Sequence, residues 1–145
     1  MRLAFPQPYR DLEHTADVGV AVDGASPEEA LARLVLAEAQ LLAGGADVVA
    51  EREERLRVEA AGSPVERALA LLRELLFRFA TERVLAAWCE VVTLSEGAAE
   101  VTVGLGRWDP DRHAEGLDLK AVTRHAARFE QDADGRWHAQ VVFDI

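Results

Sequence analysis

Two early segments of the chain alternate apolar and polar residues. Residues 17–23 place a valine at every second position, and residues 55–61 alternate Leu, Val and Ala with charged residues. A period of two is typical of a β-strand with one buried face and one face in water. Both segments are therefore predicted to be half-buried strands.

Two further segments carry a helix start signal followed by apolar residues at helical spacing. Each begins with Ser-Pro-X-Glu, at Ser26 and at Ser63. In this motif the serine caps free N–H groups, the proline suits the first helical position, and the glutamate completes a capping box. The pattern predicts one helix over residues 27–43, ended by Gly44-Gly45, and a second over about 64–80.

The last part of the chain shows strand patterns only. The predicted strands cover residues 87–94, 98–107, 121–130 and 136–143. The resulting order is β-α-β-α-β-β-β-β. Strands clustered late, with two helices early, predict one α+β domain over residues 1–145. We expect two layers, with both helices packed on one face of a mostly antiparallel sheet.

Charge and composition narrow the function classes. The chain has 145 residues, with 26 acidic against 16 basic residues and a net charge of −10. This charge repels nucleic acid, so no stable direct nucleic-acid binding is expected, and it favours a basic partner or cations. No apolar run approaches the roughly 18 residues of a membrane span, so no membrane association is expected. A single cysteine, Cys89, and the absence of a secretory signal predict a cytoplasmic location.

Lysine is almost absent, because Lys120 is the one lysine among the 16 basic residues. A coding bias toward arginine would remove lysine wherever either cation serves equally well. Since an ammonium is a compact point charge and a guanidinium a planar fork, the surviving Lys120 is a functional candidate, with chance survival as the alternative. His125 lies five residues further on, which places it on the opposite face of a regular strand.

Carboxylates stand at both ends of the chain. Asp17 opens the first predicted strand, in a segment crowded with polar groups, and Asp144 is followed by the terminal carboxylate of Ile145. If the first and last strands are neighbours, these groups form an all-oxygen cluster suited to Ca²⁺ or Mg²⁺. The alternatives are a turn that Asp17 caps locally, and chain ends that lie far apart in solvent.

The remaining candidates for chemistry are single residues. The chain has no Gly-rich phosphate loop, H-E-x-x-H, C-x-x-C or G-x-S-x-G motif, so conventional nucleotide hydrolysis and zinc chemistry lose support. His14, beside the Asp17 cluster, and His125 are weak functional candidates. We expect His125 to be half-buried, His113 to cap its own loop, and His138 to face solvent. Cys89 is expected to be a small core residue.

Three motifs together resemble one known family. They are HTADVG at residues 14–19, LKAVTRH at 119–125 and WHAQVVFDI at 137–145. In this order and spacing the chain is similar to the archease family, over residues 11–145. It departs from the family in its nearly Lys-free composition and in Arg124, at a position that is often aromatic.

The resemblance implies an accessory protein of the RtcB-type RNA-splicing ligase rather than an enzyme. Such a protein promotes the metal- and GTP-dependent guanylylation of the ligase, supports multiple turnover, and serves tRNA splicing or RNA repair. The family's metal-binding positions fall on Asp17, Asp144 and Ile145, and its functional lysine falls on Lys120. The implied cofactor is a divalent cation, Ca²⁺ first, with Mg²⁺ and Mn²⁺ as alternatives.

Two other function classes fit the same residues. A metal-dependent hydrolase could use the carboxylates on a small phosphate ester, since a divalent ion with an open position activates water. A chaperone-like binding module would present its surface to a partner, with the acidic cluster incidental. Catalytic turnover without any partner protein would distinguish the first of these from an activator.

Overall fold

Both predicted helices are present. In the computed structural model, which describes residues 1–13 and 17–145, α1 spans Pro27–Ala43 and α2 spans Pro64–Glu82. The first helix has the predicted bounds, and the second extends two residues further. Neither of these helices is long and apolar enough to cross a membrane.

The two helix starts differ in how they are capped. At α1 the Oγ of Ser26 accepts a hydrogen bond from the main-chain N–H of Glu29 at 3.1 Å, as the start signal predicts. At α2 the side chain of Ser63 makes no capping hydrogen bond. The second capping box is therefore absent, because the carboxylate of Glu66 pairs with Arg124 of a neighbouring strand instead.

Eight strands lie among the described residues. They are β1 (Arg2–Ala4), β2 (Arg10–Glu13), β3 (Asp17–Gly24), β4 (Arg52–Glu59), β5 (Val84–Leu94), β6 (Ala98–Arg107), β7 (Ala121–Gln131) and β8 (Trp137–Asp144). They form two antiparallel four-stranded sheets, in the orders β1-β5-β6-β4 and β2-β3-β8-β7. The α+β class and the antiparallel pairing are confirmed. The structure adds β1 and β2, and it divides the strands between two sheets where one was predicted.

Each helix contacts both sheets. Helix α1 packs against β1 and β5 of the first sheet and against β3 and β8 of the second, and α2 packs against β4, β5 and β7. Between Ala30 and Ala43 every residue of α1 except Arg33 is buried. A helix with apolar residues around its whole circumference needs cover on all sides. The prediction that both helices lie on one face of a single sheet is therefore wrong in this respect.

The central strands of the second sheet carry the alternation that the sequence predicts. Val20 of β3 pairs with Val141 of β8, and Val18 pairs with Phe143, all within the buried core. The residues between the valines of β3 belong to the other face of the sheet. This alternation places Asp17 on the outer face.

Strand β7 contains a wide bulge. Thr123 pairs with Val142 and Arg128 with Gln140, so residues 124–127 stand opposite one residue of β8. Ala126 within the bulge has a left-handed φ of 54°. The regular alternation assumed for His125 does not continue through this segment, and His125 is exposed rather than half-buried as predicted. A bulge interrupts the ladder and turns side chains away from their regular faces.

Candidate functional site

Asp17 and Asp144 are cross-strand partners. The antiparallel register of β3 and β8 pairs their Cα atoms directly. Directly opposite residues lie on the same face of a sheet, with Cβ atoms about 4.5–5.5 Å apart. Asp144 is exposed and Asp17 is partly exposed. The structure therefore brings together two carboxylates that are 127 positions apart in the sequence.

Lys120 lies on the other side of Asp144. Its main-chain N–H donates to the carbonyl oxygen of Asp144 at 2.8 Å, and the next residue, Ala121, pairs with Asp144 in the β7–β8 register. Lys120 is exposed, as is Ile145, which follows Asp144. The start of β3, the end of β8 and the start of β7 thus place the four predicted positions at one edge of the second sheet. We call these four residues the carboxylate edge.

The donor set at the carboxylate edge is made of oxygen atoms. Among the described residues there is no group of three or more His, Cys, Asp or Glu side chains that could hold a metal ion. A cation bound between Asp17 and Asp144 would therefore take further oxygen ligands from water and from neighbouring main-chain atoms. Such ligands suit Ca²⁺ and Mg²⁺, which prefer hard oxygen donors, and do not suit soft metals.

His14 lies outside the described residues, whereas His113 is buried in the loop that follows β6. The side chain of His113 is 1% exposed, and its Nδ1 accepts from the N–H of Asp109 at 2.8 Å. Its Nε2 lies 2.9 Å from the carbonyl oxygen of Asp47, which makes Nε2 the protonated nitrogen. Both ring nitrogens are engaged, so His113 fixes its own loop, in agreement with the predicted capping role.

Cys89 is a core residue, as predicted. Its side chain is fully buried in the first sheet, and burial raises the pKa of its thiol to about 12. Because the thiolate is the reactive form, this cysteine is chemically inert at neutral pH.

His138 is more constrained than the sequence suggests. Its Nδ1 lies 2.7 Å from Asp23 Oδ1, and its Nε2 lies 2.6 Å from Asp132 Oδ2. Hydrogen bonds to Asp132 and then to Asp23 raise the pKa of His138. A hydrogen bond from Arg10, followed by one from His138, lowers the pKa of Asp23 to about 2. The prediction that His138 simply faces solvent is thus incomplete.

The His138 cluster is separate from the carboxylate edge. Asp23 lies six residues along β3 from Asp17, a distance of about 20 Å in a strand. The cluster joins β2, β3, β8 and the β7–β8 turn, so its role is to tie these elements together. The sequence alone does not indicate this contact, because it depends on the register of β3 with β8, which pairs Asp23 with His138.

Comparison with known proteins gives a consistent result. The model of the archease protein family matches residues 9–145. The protein archease of Methanopyrus kandleri is 35% identical over 142 residues, covering 95% of this chain and 99% of that protein. The protein archease of Pyrococcus abyssi is 34% identical, covering 94% and 98% respectively.

A solved structure shares the fold. The solution structure of Methanobacterium thermoautotrophicum protein 1598 superposes with a TM-score of 0.74 at 24% sequence identity, covering 94% of this chain and 98% of that one. At this identity the likeness concerns the fold alone. The family model and the full-length relatives go further: the chain belongs to the archease family.

Proposed function

We propose that this protein activates an RtcB-type RNA-splicing ligase by promoting the metal- and GTP-dependent guanylylation of that ligase. It would act in the cytoplasm, in tRNA splicing or RNA repair, and would support multiple turnover without sealing RNA itself. Membership of the archease family supports the proposal. The observation that carries it is the pairing of Asp17 with Asp144, with Lys120 bonded to the main chain of Asp144.

The carboxylate edge suits a cation that must be presented to a partner. Asp17 and Asp144 would hold the ion from one side, with a main-chain oxygen of Ile145 as a further donor. The site lies at the end of the second sheet, and Asp144, Lys120 and Ile145 are exposed there. A divalent cation bound there would neutralise charge on a nucleoside triphosphate.

Lys120 supplies the complementary charge. Its main-chain N–H donates to the Asp144 carbonyl, and the residue is exposed, so Lys120 lies at the same end of the second sheet as the two carboxylates. An ammonium group can approach a phosphate as a point charge and stabilise negative charge that develops during transfer.

The net charge of −10 favours docking against a basic surface. An RNA ligase must present such a surface to its substrate. Complementary charge mainly raises the association rate and sets the orientation of the two proteins. Because these interactions are screened, the pair should associate more weakly as salt is raised.

The direct test is the formation of the covalent guanylate on a purified RtcB-type ligase from the same source. The ligase is incubated with radiolabelled GTP and Mn²⁺, with and without this protein, and no RNA is added. We expect a large increase in the initial rate when the protein is present. No increase, with the protein folded and the ligase competent, contradicts the proposal. Release of phosphate from small esters by the chain alone would favour the hydrolase instead.

A further inference from the structure

Two adjoining cavities lie beside the C-terminal end of β6 in the first sheet. Their volumes are about 410 and 440 Å³, within the range of ligand-binding pockets. Glu51, Arg107 and Trp108 line both of them, so they form one continuous depression. We call it the Trp108 groove.

The Trp108 groove is rich in arginine, in a protein whose net charge is strongly negative. Arg52, Arg83, Arg107 and Arg112 line it. Arg52 is neutralised by Glu82 at 2.9 Å, and Arg107 has only a long contact of 3.7 Å with Glu51. Arg83 and Arg112 are exposed and form no ion pair with any residue in the described part of the chain.

Three carboxylates, those of Glu51, Glu82 and Asp109, line the groove beside its four arginines. Glu82 also lies 3.5 Å from Arg78, and the Oδ1 of Asp109 accepts from the main-chain N–H of Asp111 at 2.9 Å. Glu51 faces Arg107 alone. The lining therefore carries four guanidinium groups against three carboxylates, a net charge of +1 that favours an anion.

Trp108 gives the groove a fixed aromatic wall. Its indole N–H donates to the carbonyl of Leu42 at 3.3 Å, and the ring of Phe79 packs nearly perpendicular to it at a centroid distance of 6.3 Å. The guanidinium of Arg83 lies 4.7 Å from the centroid of Phe79 and 5.6 Å from that of Trp108. Guanidinium and indole are thus held close together, with little freedom to lose on binding.

The groove and the carboxylate edge lie at the same end of α1. Trp108 bonds to Leu42 in the last turn of that helix, and the N–H of Leu117 donates to Leu41 at 2.9 Å. The same loop then reaches Lys120, which bonds to Asp144. A partner or substrate at the carboxylate edge is therefore near the groove.

We propose that the Trp108 groove binds an unpaired RNA strand, with phosphates on Arg83, Arg107 and Arg112 and a base against Trp108. An aromatic ring beside arginines is the combination by which proteins hold single strands. An acidic peptide would satisfy the arginines but would not use the indole. The inference extends the proposed function and rests on it for the choice of RNA as the polyanion.

The net charge of the protein does not prevent a local contact of this kind. Charges further away than a Debye length of about 10 Å at 0.1 M salt are largely screened. The same net charge keeps the contact weak for the isolated protein, which is consistent with the expectation that no stable complex with nucleic acid forms. A method that reports individual residues is therefore needed.

The test is an NMR titration of the ¹⁵N-labelled protein with single-stranded octauridylate at about 0.1 M salt, where the distant charges are screened. We expect saturable shifts of the Trp108 indole N–H and of the Arg107 and Arg112 amides, with the Trp88 and Trp137 indoles unchanged. Octaglutamate and duplex RNA of the same length should produce much smaller shifts at Trp108. The double variant R83Q/R112Q should weaken binding about tenfold or more, since phosphate contacts dominate affinity.

The matched control is R55Q, which removes an exposed arginine from β4 that forms no ion pair with a described residue. It should bind octauridylate like the unchanged protein. Equal losses in R55Q and R83Q/R112Q, shifts without saturation, or equal shifts with octaglutamate would each overturn the inference. Guanylylation of the ligase without RNA is measured separately on R83Q/R112Q, so failure of RNA binding is distinguishable from failure of the proposed activation.

Discussion

Lys120 and Asp144 are joined through main-chain atoms, since the N–H of Lys120 donates to the carbonyl of Asp144 at 2.8 Å. The bond that attaches the start of β7 to the end of β8 does not involve either side chain. The exposed ammonium group of Lys120 and the exposed carboxylate of Asp144 are therefore available for a partner. This separation allows the side chains to be changed while the strand pairing is kept.

Replacing Lys120 should affect function and leave the fold intact. The free energies of unfolding of K120A and K120R should each lie within about 0.5 kcal/mol of that of the unchanged protein, as is usual for exposed substitutions. K120A should lose most of the stimulation of guanylylation, and K120R should retain only part of it because a planar guanidinium does not replace a point charge. Initial guanylylation rates and urea unfolding are measured on the same samples. Full stimulation by K120A would remove Lys120 from the site.

Glu38 offers a test of the core. It is 2% exposed, in the middle of α1, and its Oε2 accepts no hydrogen bond from a described residue. Burial raises the pKa of its carboxyl well above the ordinary 4.5. In the unfolded chain Glu38 ionises as pH rises above about 4.5, while in the folded protein it stays protonated up to its raised pKa. The free energy of unfolding therefore falls as pH rises between these two values.

Glu38→Leu should therefore stabilise the protein, and more so at high pH. We expect a gain of about 1–3 kcal/mol at pH 8 and a smaller gain at pH 5, because the buried carboxyl is removed from an apolar environment. Urea unfolding at both pH values measures the difference. Glu28→Leu, an exposed change in the same helix, should show no gain that grows with pH. A destabilised E38L at pH 8 would mean that the carboxyl has a partner in solution.

The His138 cluster also predicts that stability falls as pH rises, but for a different reason. Here a favourable positive charge is lost, whereas at Glu38 an unfavourable negative charge is gained. Asp132 and Asp23 raise the pKa of His138 above the ordinary 6.5, so its contribution to stability is complete below pH 6.5 and is lost as pH rises through the folded pKa. The ring-proton titration followed by NMR should show the raised value. D132N and D23N should each lower it, with D132N having the larger effect. An unchanged His138 titration in D132N would contradict the hydrogen bond to Asp132.

Local patterns predicted the helices and the later strands, since caps, turns and alternation are local properties. Strands β1 and β2 were missed because they are short, of three and four residues, and carry mostly charged or small side chains. The division into two sheets was missed because it depends on which strands pair. The one local feature that agrees with two sheets is that α1 is buried on nearly all sides. A helix with a single apolar stripe would need cover on one side only.

The site was predictable as a set of residues but not as a geometry. The motifs singled out Asp17, Lys120 and Asp144, whereas the register that makes Asp17 and Asp144 direct partners is a long-range property. Prediction failed at His125 because a bulge of residues 124–127 has no signature in the alternation of β7. The His138 cluster was missed because Asp23 and Asp132 contact His138 from different elements.

The measurement that tests the central claim most directly is guanylylation of the ligase with D17N and D144N, compared with D134N. Asp134 lies exposed in the β7–β8 turn, so D134N makes the same charge change away from the carboxylate edge. We predict that D17N and D144N each reduce the stimulated rate about tenfold or more, because each removes a charged oxygen ligand, whereas D134N stimulates fully. Undiminished stimulation by D17N and D144N, with both variants folded, would show that activation does not pass through the carboxylates.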